Sequence, residues 1–173
     1  VKPTFHVKVD LSPLAKFTRA IRRAELVDDP GNPFAIMFKQ WGARYLAFAR
    51  RRFVKMSRGG WPRLKRARRH RRGRRERAAV LRDTGTLFGA LTPGAPGNEF
   101  RRIPRAIRVG YGGPHRHPKG RATIADIASF HQTGAGHLPK REIIVPPDQR
   151  TIRGMIRDGK RALRRLAEMC EGR

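Results

Sequence analysis

Four of the six histidines are the residues whose type could do chemistry. His115 and His117 form an H-x-H pair, and His131 and His137 follow it. An H-x-H pair on a strand points both imidazoles to one side, as a metal ion requires. This pair instead lies among Arg116, Lys119, glycines and prolines in the 111–122 stretch, without a carboxylate partner. That makes a poor ligand set. His131, next to Gln132 at a helix end, suits a hydrogen-bonded structural role. No phosphate-binding glycine loop, nucleophile elbow or carboxylate pair occurs, and Gly110-Tyr111-Gly112-Gly113 runs into Pro114 rather than a helix. The thirteen acidic residues are scattered singly. The expectation is a chain that is not an enzyme and holds neither metal nor cofactor.

The other chemical signal is charge. Lys and Arg total 41 against 13 Asp and Glu, a net +28, which opposes compaction unless an anion is near. Fifteen of these bases fall in the 28 residues from Arg50 to Arg77, with Glu76 the one acid. Ten of them, Arg63, Lys65, Arg66, Arg68, Arg69, Arg71, Arg72, Arg74, Arg75 and Arg77, occupy fifteen positions and suit a clamp on phosphates or carboxylates. The basic loop is expected over 58–79. Trp61 reads as an anchor at its base, because no other aromatic is interleaved with the arginines. Nucleic acid is the first candidate partner, an acidic protein surface the second and a membrane surface the third. No window approaches the roughly 18 apolar residues of a membrane span. The beginning VKPTFHVKVD has no signal-peptide core, so a soluble protein is expected. Cys170 reads as a small apolar filler in a reducing compartment.

A single domain, 1–173, is expected. Residues 1–10 alternate as a strand or an arm, and Ser12-Pro13 starts a first helix with Leu14, Phe17, Ile21 and Ala24 on one side. Asn32-Pro33 starts a long second helix with Phe34, Met37, Phe38, Trp41, Tyr45, Phe48 and Phe53 at helical spacing, up to Gly59-Gly60. Ile103, Ala106, Ile107 and Val109 suggest a strand ending at Gly110, with Pro104 placing it at an edge or bulge. Residues 111–122 read as a Gly/Pro/His-rich loop. Ile124, Ile127, Ala128 and His131 predict a helix stopped at Gly134, followed by a strand over Arg141–Val145. Asp148 caps a final helix with Ile152, Met155, Ile156, Leu163, Leu166 and Cys170 on one face, weakened by Gly154 and Gly159. The fold class is α+β: two N-terminal helices, the second long, on a small, mostly antiparallel sheet, with a C-terminal helix and a long basic loop.

Four segments in order resemble the phage virion morphogenesis and tail completion family. They are Trp61-Pro62-Arg63-Leu64, then Leu81-Arg82-Asp83-Thr84-Gly85-Thr86-Leu87, then Ile127 to Gly134 (IASFHQTG), then Leu138-Pro139-Lys140-Arg141, with Ile107 to Gly110 in the place of the family's strand. Ile127-Ala128 stands where that family has an aromatic-alanine pair. The resemblance implies a small α+β protein without catalytic activity that forms a homo-oligomeric ring, of six or twelve copies, at the phage neck. Its partners would be portal-side connector proteins and the tail terminator or tail tube, with genomic DNA in the channel. It would be assembled in the host cytoplasm and reside in the virion. Trp61, Leu81, Asp83, Thr84, Gly85, Leu87, His131, Gln132, Gly134, Pro139 and Arg141 would be structural. Asp83 and Thr84 would hold a turn at Gly85, His131 and Gln132 would tie the helix end to the sheet, and Arg141 would form a buried or intersubunit ion pair. The residues from Arg63 to Arg77 would face DNA or an acidic connector surface. The rival reading is a sequence-nonspecific nucleic-acid binding protein of ribosomal or chromatin type. Against that rival, the bases concentrate between the second helix and Leu81 instead of interleaving with aromatics.

Overall fold

The computed structural model describes residues 32–62, 80–82, 84–103, 106–135 and 138–171. The expected N-terminal strand or arm (1–10), the first helix and most of the basic loop (63–79) lie outside the described residues. The described chain runs α1 (Pro33–Lys55), a π-helical turn (Met56–Gly60), α2 (Thr86–Gly89), β1 (Asn98–Ile103), β2 (Ala106–Tyr111), α3 (Ile124–Thr133) and α4 (Gln149–Glu171). Helices combined with a small antiparallel sheet make the fold α+β.

α1 begins at the residues that should start it. Asn32 is extended, its Oδ1 accepts the Phe34 N–H at 2.9 Å, and Pro33 fills the first turn, where no N–H is needed. Its buried residues include Met37, Gly42, Leu46, Phe48, Ala49 and Phe53, so the helix is covered on more than one side. Instead of stopping at Gly59, the helix widens into the π turn. Arg58 to Gly60 therefore belong to that turn and not to the basic loop. The Trp61 N–H then closes on the Met56 carbonyl at 3.0 Å.

The single strand expected up to Gly110 is the second half of a hairpin. β1 pairs with β2 in antiparallel register, Asn98 opposite Tyr111 and Ile103 opposite Ala106. β1 was not recognisable because NEFRRI has no apolar alternation. Its inward row is Asn98, Phe100 and Arg102, with only Phe100 apolar. Tyr111 is the last residue of β2 and not part of the loop that follows. Its hydroxyl donates to the Leu87 carbonyl at 2.9 Å.

The strand expected at Arg141–Val145 does not form. That stretch has no regular structure and no strand partner among the described residues, because a side chain takes the partner's place. Gln132 Oε1 accepts the N–H groups of Ile143 (2.8 Å) and Ile144 (3.0 Å), and Gln132 Nε2 donates to the Ile144 carbonyl at 2.8 Å. These bonds satisfy buried backbone without a ladder. α3, which supplies Gln132, is closed at both ends. Thr123 and Asp126 form a reciprocal capping box, and Gly134 ends the helix at φ 76.

α4 starts at Asp148, whose Oδ1 accepts the Thr151 N–H at 2.8 Å. Its buried side differs from the expected one. Thr151, Gly154, Asp158, Ala162 and Leu166 are buried, whereas Ile156 and Leu163 are 52% and 46% exposed. An ion pair and two glycines decide this. Asp158 accepts from Arg44 Nε and Nη2 at 2.5 and 3.1 Å, Gly154 lies under the Arg44 side chain, and Gly159 faces Trp41 and Met37. Trp41 Nε1 adds a bond to the Met155 carbonyl at 2.8 Å. Small residues let the two helices approach closely, so the glycines serve packing.

The hairpin crosses α1 at Gly42, where a Cβ would stand 2.5 Å from Phe100 Cε2 and 2.6 Å from Ile107 Cδ1. At an exposed helical site, Gly→Ala would stabilise by about 1 kcal/mol. Here overpacking reverses the sign. Gly42→Ala is expected to lower stability by roughly 1–3 kcal/mol in urea unfolding, and a raised midpoint would show that the hairpin does not seat on this glycine.

Candidate functional site

The site is built on Arg141, a side chain only 1% exposed. Its Nε and Nη2 donate to the Pro62 carbonyl at 3.0 and 2.8 Å, and Nη1 meets His131 Nδ1 at 3.1 Å. The Arg141 N–H also donates to the His131 carbonyl at 2.7 Å. Among the described residues no carboxylate meets the guanidinium, so the chain by itself forms no buried ion pair here. The buried guanidinium is met by a carbonyl dipole and a neutral imidazole. A guanidinium stays protonated even though burial lowers its pKa. Its cation then requires His131 to be neutral and to accept at Nδ1, with the proton on Nε2. Burial, with Arg141 adding to it, pushes His131 down to about 4.

This node fixes the place from which the basic stretch departs. Pro62 directly precedes Arg63, and Trp61 beside it is buried edge-on against Phe53, ring centroids 5.0 Å apart. At the far end the Val80 N–H donates to the Ser57 carbonyl at 3.0 Å. Both ends of the 63–79 stretch are thus held at the π turn. Two cations stand beside the re-entry point, with the guanidinium carbons of Arg50 and Arg82 4.6 and 5.2 Å from the centroid of the Phe88 ring. Arg50 also bonds the Thr92 hydroxyl.

The second motif segment forms the turn after this re-entry. Leu81 is half-buried at φ 63, a conformation that an L-residue adopts only under constraint. Gly85 takes φ 71, and Leu87 is buried in the same core as Trp61, Phe53 and Ile143. Thr84 Oγ1 accepts from the Thr86 hydroxyl at 2.8 Å and lies 2.9 Å from His117 Nε2. His117 Nδ1 accepts the Lys119 N–H at 3.1 Å, so Nε2 carries the proton and donates to Thr84. His117 thus ties the 112–122 loop to this turn.

Of the residues singled out from the sequence, Trp61, Leu87, His131, Gln132 and Arg141 come together around one core, with Thr84 and Gly85 in the adjoining turn. Gly134 and half-buried Pro139 lie on the path between His131 and Arg141. Arg63, Lys65, Arg66, Arg68, Arg69, Arg71, Arg72, Arg74, Arg75, Arg77, Asp83 and His137 lie outside the described residues. Sequence reasoning missed the Ser57–Val80 closure, which involves only backbone groups and leaves no residue signature. It also missed the exposed bases of α4: Arg150, Arg153, Arg157, Lys160, Arg161, Arg164 and Arg165. Their i, i+3, i+4 spacing was the available signal.

Among the described residues no group of three or more His, Cys, Asp or Glu is placed to hold a metal ion. A crevice of about 260 Å³ lies between the hairpin and α3, lined in part by Glu99, Tyr111, Ser129 and Gln132. Glu99 faces Arg108 at 3.6 Å, and Gln132 is committed to Ile143 and Ile144. Set against protein-family models, curated proteins and solved structures, the chain matches none.

The His131–Arg141 contact makes stability depend on pH. The unfolded chain takes up a proton near pH 6.5 and the folded chain only near 4, so stability is full above about 6.5 and is lost as pH falls toward 4. At about 1.4 kcal/mol per unit the loss approaches 3 kcal/mol. Asp126 and Asp148 are held below the usual carboxylate range by hydrogen bonds from Thr123 and Thr151. Their contribution is complete above roughly pH 4 and is lost only below it, so they add no slope between pH 6.5 and 4.5. Melting curves are therefore expected to fall between pH 6.5 and 4.5 in the natural chain. In His131→Asn, whose amide oxygen accepts without titrating, they should stay flat over that range. An equal slope in both would remove His131 as its source.

Proposed function

We propose that this chain is a structural assembly protein of a tailed-phage particle. It forms a homo-oligomeric ring of six or twelve copies at the neck, between the portal-side connector and the tail terminator or tail tube. The chain is not catalytic, and the 63–79 stretch is the part directed to DNA or to an acidic partner surface. The observation that carries this reading is the convergence of the motif residues. Trp61-Pro62, Leu87, His131-Gln132 and Arg141, far apart in sequence, meet around the point from which the basic stretch leaves. Such an arrangement suits a rigid base presenting a charged excursion. The virion is the proposed location. Among the described residues no helix is long and apolar enough to cross a membrane.

The rival, a sequence-nonspecific nucleic-acid binding protein, gains from the exposed bases of α4, a second concentration of charge in the sequence besides the 63–79 stretch. Cryo-electron microscopy of the native particle separates the two. Ring density at the neck supports the assembly reading, whereas absence from every particle with tight, salt-sensitive binding to free nucleic acid supports the rival.

Replacing six arginines, Arg66, Arg68, Arg69, Arg71, Arg72 and Arg74, by glutamine tests the stretch itself. The melting temperature should be unchanged while DNA affinity or particle joining falls. If all six meet phosphates, the slope of log K against log salt should drop by about five. Unchanged slope and normal assembly would remove the stretch from the mechanism.

A further inference from the structure

α4 carries a buried row and a second, apolar row that the described chain leaves partly open. At 100° per residue, the buried residues Thr151, Gly154, Asp158, Ala162 and Leu166 form the first row, in which Gly154 and Asp158 meet Arg44 of α1. About a third of a turn further round lie Ile152, Ile156, Leu163, Ala167 and Cys170. Of these, Ile156 and Leu163 are exposed and the others half-buried. Along the outer edge of this second row stand Arg153, Arg157, Lys160 and Arg164, all exposed and none in an ion pair among the described residues. The apolar row therefore has α1 on one side and four cations on the other.

We propose that this row is the docking face for an acidic amphipathic helix of another protein. The partner's apolar residues would cover Ile156 and Leu163, and its carboxylates would meet Arg153, Arg157, Lys160 and Arg164. The residue types choose this occupant. Nucleic acid would engage the cations but leave the aliphatic row in water, and the row has no aromatic on which a base could stack. Interfacial membrane helices use Trp and Phe at such positions, and here there are none. A second copy laid face to face would bring two rows of arginines together. Among the described residues no helix of this chain carries acids on both sides of an apolar row. Their densest group outside α4 is Glu25, Asp28 and Asp29. The proposal goes beyond the assembly reading and does not depend on it.

The test uses the full chain and a fluorescent 18-residue synthetic helix with leucines on one face and glutamates on both flanks. A scrambled peptide of the same composition, an oligothymidylate of 18 nucleotides and phosphatidylglycerol vesicles serve as comparisons. Anisotropy at 0.15 M salt should show the amphipathic peptide binding at least tenfold more tightly than the scrambled one. The double variant Ile156→Ser, Leu163→Ser should lose at least tenfold of that affinity with an unchanged melting curve. Arg153→Gln with Arg157→Gln should weaken binding at 0.15 M salt, and less at 0.5 M. Equal affinity for the two peptides, or no effect of the serine variant, would overturn the proposal. So would a serine effect confined to the oligonucleotide or the vesicles, or a self-association that the serine variant abolishes.

Discussion

A cation buried without an anion among the described residues is the interaction on which the rest of their structure depends. Arg141 reaches the Pro62 carbonyl from one side and the imidazole of His131 from the other. In doing so it joins the end of α1, the end of α3 and the stretch leading to α4. A carboxylate would be the usual partner for a buried guanidinium, and a desolvated charge is expensive without compensation. Here all three guanidinium nitrogens have acceptors, and the imidazole is kept neutral by its burial, with the charge it faces adding to that. The arrangement is self-consistent. The same cation that needs an acceptor also helps to keep that acceptor from taking a proton.

Around this node, side chains repeatedly replace secondary structure. Gln132 supplies to Ile143 and Ile144 the hydrogen bonds that a neighbouring strand would have given. Tyr111 and Tyr45 hold the Leu87 and Val145 carbonyls with their hydroxyls. A two-stranded hairpin is marginal by itself. This one is stable because Phe100, Ile107, Val109 and Tyr111 face α1 and the core. The fold thus keeps its sheet small and lets polar side chains fix the loops around it.

What the sequence made legible follows from which signals are local. Asn32-Pro33, Gly134 and Asp148 mark helix ends through bonds to nearby residues, and each end stands where its residues predict. β1 was hidden because two arginines interrupt Phe100 and Ile103, leaving no period-two pattern. Apolarity alone misplaces the buried side of α4, because Asp158 and Gly154 face α1 through a distant partner, Arg44, which lies 114 residues from Asp158 in sequence. Within the chain the acceptors of Arg141 are a backbone carbonyl and a histidine, which carry no sequence label of that role.

The closure between Ser57 and Val80 also sets a length. The seventeen residues 63–79 leave from Pro62 and return to Val80, both held at the same turn. A strand that must come back can extend no farther than half its contour, about 30 Å at 3.3–3.6 Å per residue. Any surface those ten bases touch therefore lies within about 30 Å of the turn. The clamp converts a charged stretch into a tether of fixed radius, and the radius can be lengthened or shortened by adding or removing residues without touching the core.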